Sequence, residues 1–318
     1  MQWYFIVLIV LGGICLLYCL LDFVVAIFIM RIMMYVPVKT YDEVIEAETG
    51  WQKTTKEEVE TIGLEDFKFK SDYGYMLQAS YLPKNVDVKF KDGKERVMIM
   101  VHGWTSNRYS MIIYAKIYRA LGFHVFFYDH RNHFQSDRVI TTMGNKEADD
   151  LECFVKYVRN RMGNNIVLGT QGESMGSATV MMHAGRYHSV DFVCEDCGYS
   201  SLKELLHYQC KDLKHLPTFP TLLFGDLVFR VKAKTKYSDV EPAKEVAKCD
   251  DIPMYFSHGD SDDFVPSYMV YKCYDAKKGA KKIDVYEGCG HANSVIKHND
   301  LYAKNVHDFL LENNIIDN

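Results

Sequence analysis

Hydrophobic positions follow three different patterns along this chain, and each predicts a different kind of element. The first is a continuous apolar stretch: residues 3–21 carry no charge, and the apolar run resumes from Phe23 to Met30 after Asp22. As a helix, about twenty residues rise roughly 30 Å, the thickness of the hydrocarbon core of a bilayer. No basic residue precedes the stretch and no small-residue cleavage site follows it. The pattern therefore favours an uncleaved transmembrane helix over a signal peptide.

The second pattern is alternation of apolar and polar positions over residues 65–83. Phe67 and Phe69 precede a turn-forming segment at 72–74, and Leu77 continues the alternation after it. Period-two alternation on both sides of a tight turn is typical of two paired strands. We therefore expect an antiparallel pair at the start of the folded domain.

The third pattern is a series of short continuous apolar runs, which are typical of strands buried on both faces. They lie at 97–101, 125–128, 166–168, 192–194, 254–256 and 283–286. Helix-compatible stretches separate them, at 108–121, 146–161, 174–188, 266–278 and 299–313. This alternation predicts an α/β fold with a mostly parallel, doubly wound sheet.

These patterns predict three parts: an N-terminal anchor (residues 1–31), a polar helical connector (32–64) and one α/β catalytic domain (65–318). Residues 201–248 break the strand–helix rhythm and predict a small helical lid over the strand ends. Seven apolar lid residues suit an apolar acyl or alcohol group, or equally pack the lid onto the domain. They are Leu202, Leu205, Leu206, Leu222, Leu223, Phe224 and Phe229.

Charge and cysteine content narrow the possible classes of function. The formal charge is −5 and no basic stripe is present, which argues against nucleic acid as a partner. Nine cysteines at irregular spacing do not indicate a disulfide framework. Cys194 and Cys197 have C-x-x-C spacing, but no second such pair accompanies them and they end a strand. We interpret them as buried thiols and expect no metal site.

The segment Gly172-Glu173-Ser174-Met175-Gly176 carries the main chemical signal. It lies between an apolar strand and a helix-compatible run, where Gly-x-Ser-x-Gly forms a nucleophile elbow. The turn is so tight that side chains at the two glycine positions would collide with neighbouring backbone. The serine is left in a strained conformation with its hydroxyl exposed above the sheet. Ser174 is therefore the candidate nucleophile.

A serine nucleophile needs a base, which should follow the last strand in a hydrolase arrangement. Only His291, His298 and His307 follow a plausible acid loop. His298 and His307 belong to the terminal helix, where packing or surface roles are the default. His291 ends a glycine-rich loop, 287–291, directly after the last strand, and is the candidate base.

The acid that orients the base should follow the preceding strand. The loop at 258–266 offers Asp260, Asp262 and Asp263. Asp260 is close to the strand end and suits a turn, and Asp263 suits a solvated position. Spacing alone leaves the three open, with Asp262 in the middle.

Developing charge on a carbonyl oxygen requires two fixed N–H donors. One should be the backbone of Met175, which opens the elbow helix and adds the helix dipole. The other should come from the loop after the strand at 97–101, where Gly103 permits close approach and Trp104 N–H is the expected donor. His102 is interpreted as a residue that ties loops together.

These segments together resemble the α/β-hydrolase superfamily, most closely bacterial membrane-anchored serine-aminopeptidase-like or esterase-like hydrolases. The resemblance covers about residues 65–313. It rests on segments 102–104, 129–133, 172–176, 196–201 and 258–266. In that family the His-Gly-x-x-Asp-x-x-Val-Pro loop carries the acid at its fifth position, which implies Asp262. Phe134 stands where relatives commonly have glycine, which implies a differently shaped loop there.

The expected activity is hydrolysis of a carboxylic ester through an acyl-enzyme intermediate. Ser174 attacks, His291 moves the proton, Asp262 holds the imidazolium, and the Trp104 and Met175 amides bind the oxyanion. No metal or organic cofactor is needed. A serine peptidase acting on short peptides is the enzymatic alternative, and a non-catalytic binding protein on a hydrolase scaffold is the alternative from another class.

The basic residues that flank the apolar stretch predict its orientation. No Lys or Arg precedes it, while Arg31 and Lys39 follow it. The positive-inside rule then places the catalytic domain in the cytoplasm as part of a single-pass membrane protein. The odd set of cysteines agrees, because a reducing compartment keeps thiols reduced.

Overall fold

Eight strands form one mixed sheet in the computed structural model, which describes residues 2–213 and 217–317. Met1, Asn318 and residues 214–216 within the predicted lid lie outside this description. The strands are β1 (Glu65–Lys70), β2 (Met76–Leu82), β3 (Glu95–Val101), β4 (Phe123–Tyr128), β5 (Ile166–Glu173), β6 (Phe192–Asp196), β7 (Met254–Gly259) and β8 (Lys281–Tyr286).

The helices alternate with these strands. They are α1 (Trp3–Met34), α2 (Tyr41–Gly50), α3 (Lys56–Thr61), α4 (Ile112–Ala120), α5 (Asn145–Met162), α6 (Met175–Tyr187), α7 (Leu202–Tyr208), α8 (Thr221–Ala233), α9 (Pro242–Val246), α10 (Tyr268–Ala276), α11 (Ser294–Lys297) and α12 (Asn299–Glu312). Short 3₁₀ turns lie at Arg108–Met111 and Tyr237–Asp239, and a π-helical turn lies at Gln209–Leu213.

The strand order is β1-β2-β4-β3-β5-β6-β7-β8. β2 runs antiparallel to both β1 and β4, and the remaining neighbours are parallel. The predicted hairpin and the predicted parallel sheet are both confirmed. Because parallel strands share a direction, the loops after β5, β7 and β8 emerge at one edge.

Alternate side chains of each central strand pack into two separate cores. On β3, Met98 and Met100 face one core with α4 and α12, while Val97 and Ile99 face the other with α5 and α6. All four are fully buried. Burial on both faces explains why the central strands are continuous apolar runs in the sequence.

The long N-terminal helix α1 has two different halves. Its first half is almost wholly exposed, and the helix is long and apolar enough to cross a membrane. In its second half, Asp22, Ala26, Met30 and Met33 recur on one face and are buried against the folded domain. The spacing of three to four residues is that of one helix stripe.

Candidate active site

The tight turn between β5 and α6 has the strain that the sequence predicts. Ser174 joins the two elements with φ 56° and ψ −115°. A Cβ on Gly172 would lie 2.5 Å from the backbone of Gly176, and a Cβ on Gly176 would lie 1.9 Å from the Val101 carbonyl oxygen. Only glycine fits at either position, so the hydroxyl of Ser174 is held above the sheet edge.

Three loops at this edge bring the three predicted side chains together. Ser174 Oγ lies 2.9 Å from Nε2 of His291, and Nδ1 of His291 lies 2.8 Å from Oδ2 of Asp262. With Nδ1–H donating to the carboxylate, Nε2 is free to accept the serine proton. The arrangement can therefore turn a hydroxyl into a nucleophile.

Asp262 is distinguished from its two neighbours by its contacts. It is buried, and it accepts hydrogen bonds from the backbone N–H groups of Phe264 (2.9 Å) and Val265 (2.8 Å). Burial alone would raise the pKa of Asp262, but hydrogen bonds from His258 and His291 outweigh burial and hold the pKa well below its ordinary value. The carboxylate thus stays ionised beside the imidazole.

The other acid and base candidates are engaged elsewhere. Asp260 accepts from the Gly288 N–H at 2.8 Å and so serves the turn, while Asp263 is exposed. His298 Nε2 faces the Glu287 carbonyl oxygen at 3.2 Å, and His307 lies beside Asp308 on α12.

The loop after β3 lies directly against the serine. A Cβ on Gly103 would be 3.4 Å from Cβ of Ser174, so the backbone of this loop approaches the elbow closely. The loop is held from two sides, since Trp104 Nε1 donates to the Met33 carbonyl oxygen at 3.2 Å and Thr105 N–H donates to His133 Nε2 at 3.2 Å. Met175 is the first residue of α6, so its backbone N–H is one of the donors at the helix N-terminus that have no partner within the helix.

His102 ties loops together, as the sequence analysis expects. Its Nδ1 donates to the Gly103 carbonyl oxygen at 2.7 Å and its Nε2 accepts from His130 N–H at 2.9 Å. Burial lowers the pKa of His102 to about 3, so the ring is neutral and holds this pattern. Phe134 has φ 36°, and its ring packs against Tyr109 with 5.8 Å between centroids.

Two cavities meet at Ser174. One is apolar and is lined by residues from α1, the elbow, α7 and the neighbouring loops, namely Ile29, Ile32, Met33, Trp104, Met143, Met175, Tyr199, Leu202, Leu205, Leu206, Gln209 and Phe264. The other, which we call the polar cavity because charged side chains line it, is formed by Lys39, Ala47, Glu48, Trp51, Lys53, Gly103, Trp104, Thr105, Ser106, Glu173, Asp263, Phe264, His291 and Ala292. The site therefore offers an apolar side and a polar side to one reacting carbonyl.

The polar cavity contains an ion pair that sequence reasoning missed. Lys53 Nζ lies 2.7 and 2.5 Å from the carboxylate oxygens of Glu173, the residue before the nucleophile. Both side chains are buried. Burial alone would lower the pKa of Lys53, but Glu173 and Glu48 raise it above its ordinary value. The pair ties the connector to the elbow, and its only sequence signal is a charged residue inside the pentapeptide.

Glu48 is a second acid in this cavity. It is buried on α2, and its Oε1 accepts from Asn107 Nδ2 at 2.7 Å. Burial raises the pKa of Glu48 to about 7. Residues 32–64 thus contribute to the cavity beside the serine as well as linking α1 to the sheet.

Cys197, Asp262 and His291 are the side chains here that could jointly face a metal ion, with one ligand atom each within 4.8 Å of the others. Burial raises the pKa of Cys197 well above its ordinary value, whereas a metal requires the thiolate. Asp262 and His291 are already bonded to each other. These residues suit proton transfer better than ligation.

Comparisons with known proteins agree with this architecture. A family model described as the α/β-hydrolase fold matches residues 96–193. The chain has the α/β-hydrolase fold. It is 29% identical over 282 residues to the uncharacterised protein YqkD of Bacillus subtilis (strain 168), covering 88% of this chain and 90% of that protein.

Solved structures of hydrolases share the fold at low sequence identity. An esterase from Pyrococcus furiosus superposes with a TM-score of 0.66 at 17% identity, covering 87% of this chain and 96% of the esterase. An acylaminoacyl peptidase from Pyrococcus horikoshii superposes with a TM-score of 0.59 at 16% identity, covering 80% of this chain and 42% of the peptidase. These likenesses show that the chain shares its fold with both proteins.

Proposed function

We propose that this protein is a serine hydrolase that cleaves a carboxylic ester through an acyl-enzyme intermediate. The observation that carries the proposal is the continuous chain of hydrogen bonds from Ser174 through His291 to Asp262, at 2.9 and 2.8 Å. The ester is favoured over the amide because an apolar cavity and a polar cavity meet at the serine. These suit an apolar acyl group and a polar alcohol.

Each group has a defined task in the proposed reaction. Ser174 Oγ bonds to the carbonyl carbon while His291 Nε2 takes the serine proton, and the backbone N–H groups of Trp104 and Met175 stabilise the oxyanion. The C–O bond of the ester then breaks, and His291 returns the proton to the leaving alcohol. Water, activated by the same imidazole, releases the acid and restores Ser174. Asp262 stabilises the imidazolium in both halves.

A fluorophosphonate probe tests the nucleophile directly. We expect the intact protein to be labelled and Ser174→Ala to remain unlabelled at the same concentration. A matched control is Ser177→Ala, because Ser177 lies one helix turn away and its Oγ donates to the Asp196 carbonyl oxygen. Labelling of Ser174→Ala would place the reactive group elsewhere and contradict the proposal.

A substrate panel separates an esterase from a peptidase. Aminoacyl-nitroanilides and p-nitrophenyl esters of increasing acyl length report amide and ester cleavage with related leaving groups. We expect turnover of the esters to exceed that of the anilides, and the preference to extend to longer acyl chains. Faster cleavage of the anilides would favour the peptidase alternative.

A further inference from the structure

The helix that sequence analysis describes as an anchor also forms part of the candidate substrate site. Three residues near the end of α1 line the apolar cavity that ends at Ser174: Ile29, Ile32 and Met33. Ile32 is exposed on its outer side and Ile29 is half-buried. The cavity wall and the surface of the apolar helix are therefore continuous.

The apolar part of α1 is longer than a bilayer requires. Residues 3–30 contain one charged side chain, Asp22, and as a helix they rise about 42 Å against roughly 30 Å of hydrocarbon. The excess lies toward the folded domain, in the half whose other face is packed against it. If the first half of α1 spans the hydrocarbon, this length brings the wall of the apolar cavity to the edge of the membrane.

Helix α8 accompanies this half of α1 and shields its one acid. Thr221 Oγ1 donates to Asp22 Oδ1 at 2.7 Å, and the ring of Phe224 packs on Phe23 with 5.3 Å between centroids. Further along, a Cβ on Gly225 would lie 3.4 Å from Sδ of Met30, so the helices approach closely. α8 thus begins beside Asp22 and runs toward the domain end of α1.

The opposite face of α8 is an exposed apolar stripe. Phe219 before the helix and then Leu223, Leu227 and Val231 recur every four residues, and they are 75, 59, 51 and 58% exposed. Basic residues surround the end of the stripe, at Arg230, Lys232, Lys234 and Lys236, and Arg230 pairs with Asp226 one turn earlier. An apolar stripe that ends in basic residues suits a helix whose apolar face contacts acyl chains and whose basic end contacts anionic headgroups.

The geometry points to a lipid ester of the membrane as the substrate, with its acyl chain passing from the bilayer between α1 and α7 to Ser174. The alcohol part occupies the polar cavity, where Lys53 and Glu48 lie. This inference rests on the proposed serine-hydrolase function and adds the source of the substrate. The basic end of α8 and Arg31, which follows Met30 on α1, mark the headgroup level, which is also where the ester bonds of a glycerolipid lie.

A vesicle assay with the full-length protein tests the inference. The protein is reconstituted in phosphatidylcholine–phosphatidylglycerol vesicles that contain dioleoylglycerol, and release of oleate is compared with hydrolysis of dissolved p-nitrophenyl acetate. The double variant Leu223→Asp/Leu227→Asp places charges on the stripe. We expect it to lose at least tenfold in oleate release while hydrolysis of p-nitrophenyl acetate changes less than twofold.

Leu301→Asp is the matched control, because Leu301 is 49% exposed on α12 and lies outside the stripe. It should change neither reaction more than twofold. Full oleate release by the stripe variant would overturn the role of α8. Hydrolysis of p-nitrophenyl acetate without any oleate release would overturn the lipid substrate and leave the serine hydrolase standing. Absence of both reactions, together with no fluorophosphonate labelling, would instead refute the proposed function.

A second measurement decides the case in which the stripe variant loses both reactions through misfolding. Phosphatidylcholine with a diazirine close to the ester end of one acyl chain is photolysed in vesicles that contain the wild-type protein. Crosslinks on residues 217–233 are expected, because the stripe faces the acyl chains. Crosslinks confined to residues 3–21 would overturn contact of α8 with the bilayer.

Discussion

Ser174, His291 and Asp262 form a single chain of hydrogen bonds, so each group depends on the others for its chemical role. We expect Ser174→Ala and His291→Ala each to lower kcat by on the order of 10⁴-fold or more. The double variant should lose little beyond either single change, because the second group has no task once the first is gone. Steady-state kinetics of the three variants provide the measurement. If the two losses in kcat multiplied in the double variant, the groups would act independently, and this would contradict the mechanism.

Spacing in the sequence did not by itself identify the acid that orients His291. Spacing in the sequence left three aspartates open, and the family resemblance selected Asp262. Asp262→Asn should cripple turnover and leave the fold intact, because the imidazole loses its charge partner and its orientation. Asp260→Asn and Asp263→Asn should keep most activity. A dead Asp263→Asn variant, checked for folding by circular dichroism, would shift the assignment by one residue.

Glu48 makes the stability of the folded protein depend on pH. Burial raises its pKa from 4.5 to about 7, so between these values the folded protein binds more protons at Glu48 than the unfolded chain does. The contribution of Glu48 to the free energy of unfolding therefore falls as the pH rises through this window. Glu48→Gln retains an oxygen to accept from Asn107 and removes the charge.

Melting temperatures at pH 5 and pH 8 test this dependence. We expect the difference in Tm between Glu48→Gln and the wild type to be more positive at pH 8 than at pH 5. Glu46→Gln is the matched control, because Glu46 is exposed on the same helix. An equal difference at both pH values would mean that Glu48 keeps an ordinary pKa in the folded protein.

At the scale of elements, the predictions that held were those with local causes. Continuous hydrophobic runs predicted the six strands β3 to β8, and alternation of apolar and polar positions predicted the antiparallel pair β1 and β2. The elbow was predictable because nearby backbone atoms leave no room for a side chain at its two glycines. These atoms belong to residues a few positions away in the chain or to the end of the adjacent strand β3. The ion pair of Lys53 with Glu173 and the cavity wall formed by α1 were not, because no periodicity relates residues that meet only after folding.

The elbow also supplies a test of packing between elements. Gly176→Ala would place a Cβ 1.9 Å from the Val101 carbonyl oxygen at the end of β3. We expect the free energy of unfolding in urea to drop by on the order of 3 kcal/mol, because neither backbone can shift without disturbing the sheet. In Gly50→Ala in α2, the new Cβ meets no atom within 4 Å, and we expect the free energy of unfolding to rise by up to about 1 kcal/mol. Equal effects would show that the elbow tolerates a side chain.

At the scale of the whole molecule, three parts that the sequence separates act on one site in our proposal. α1 provides a wall of the apolar cavity, residues 39–53 line the polar cavity, and the sheet edge carries the reacting groups. If α1 crosses the membrane, the reaction must take place beside the bilayer surface. The side of the membrane on which the domain lies then decides which lipids and solutes reach the site.

The orientation prediction rests on charge. Arg31 and Lys39 follow the apolar stretch and no basic residue precedes it, so the positive-inside rule places the folded domain in the cytoplasm. The basic end of α8 would then face the anionic inner leaflet, which attracts it further. We expect an external protease to leave the domain whole in intact spheroplasts and to digest it after lysis, with a known cytoplasmic protein as the control. Digestion of residues 65–318 without lysis would reverse the orientation and place the substrate in the outer leaflet or outside the cell.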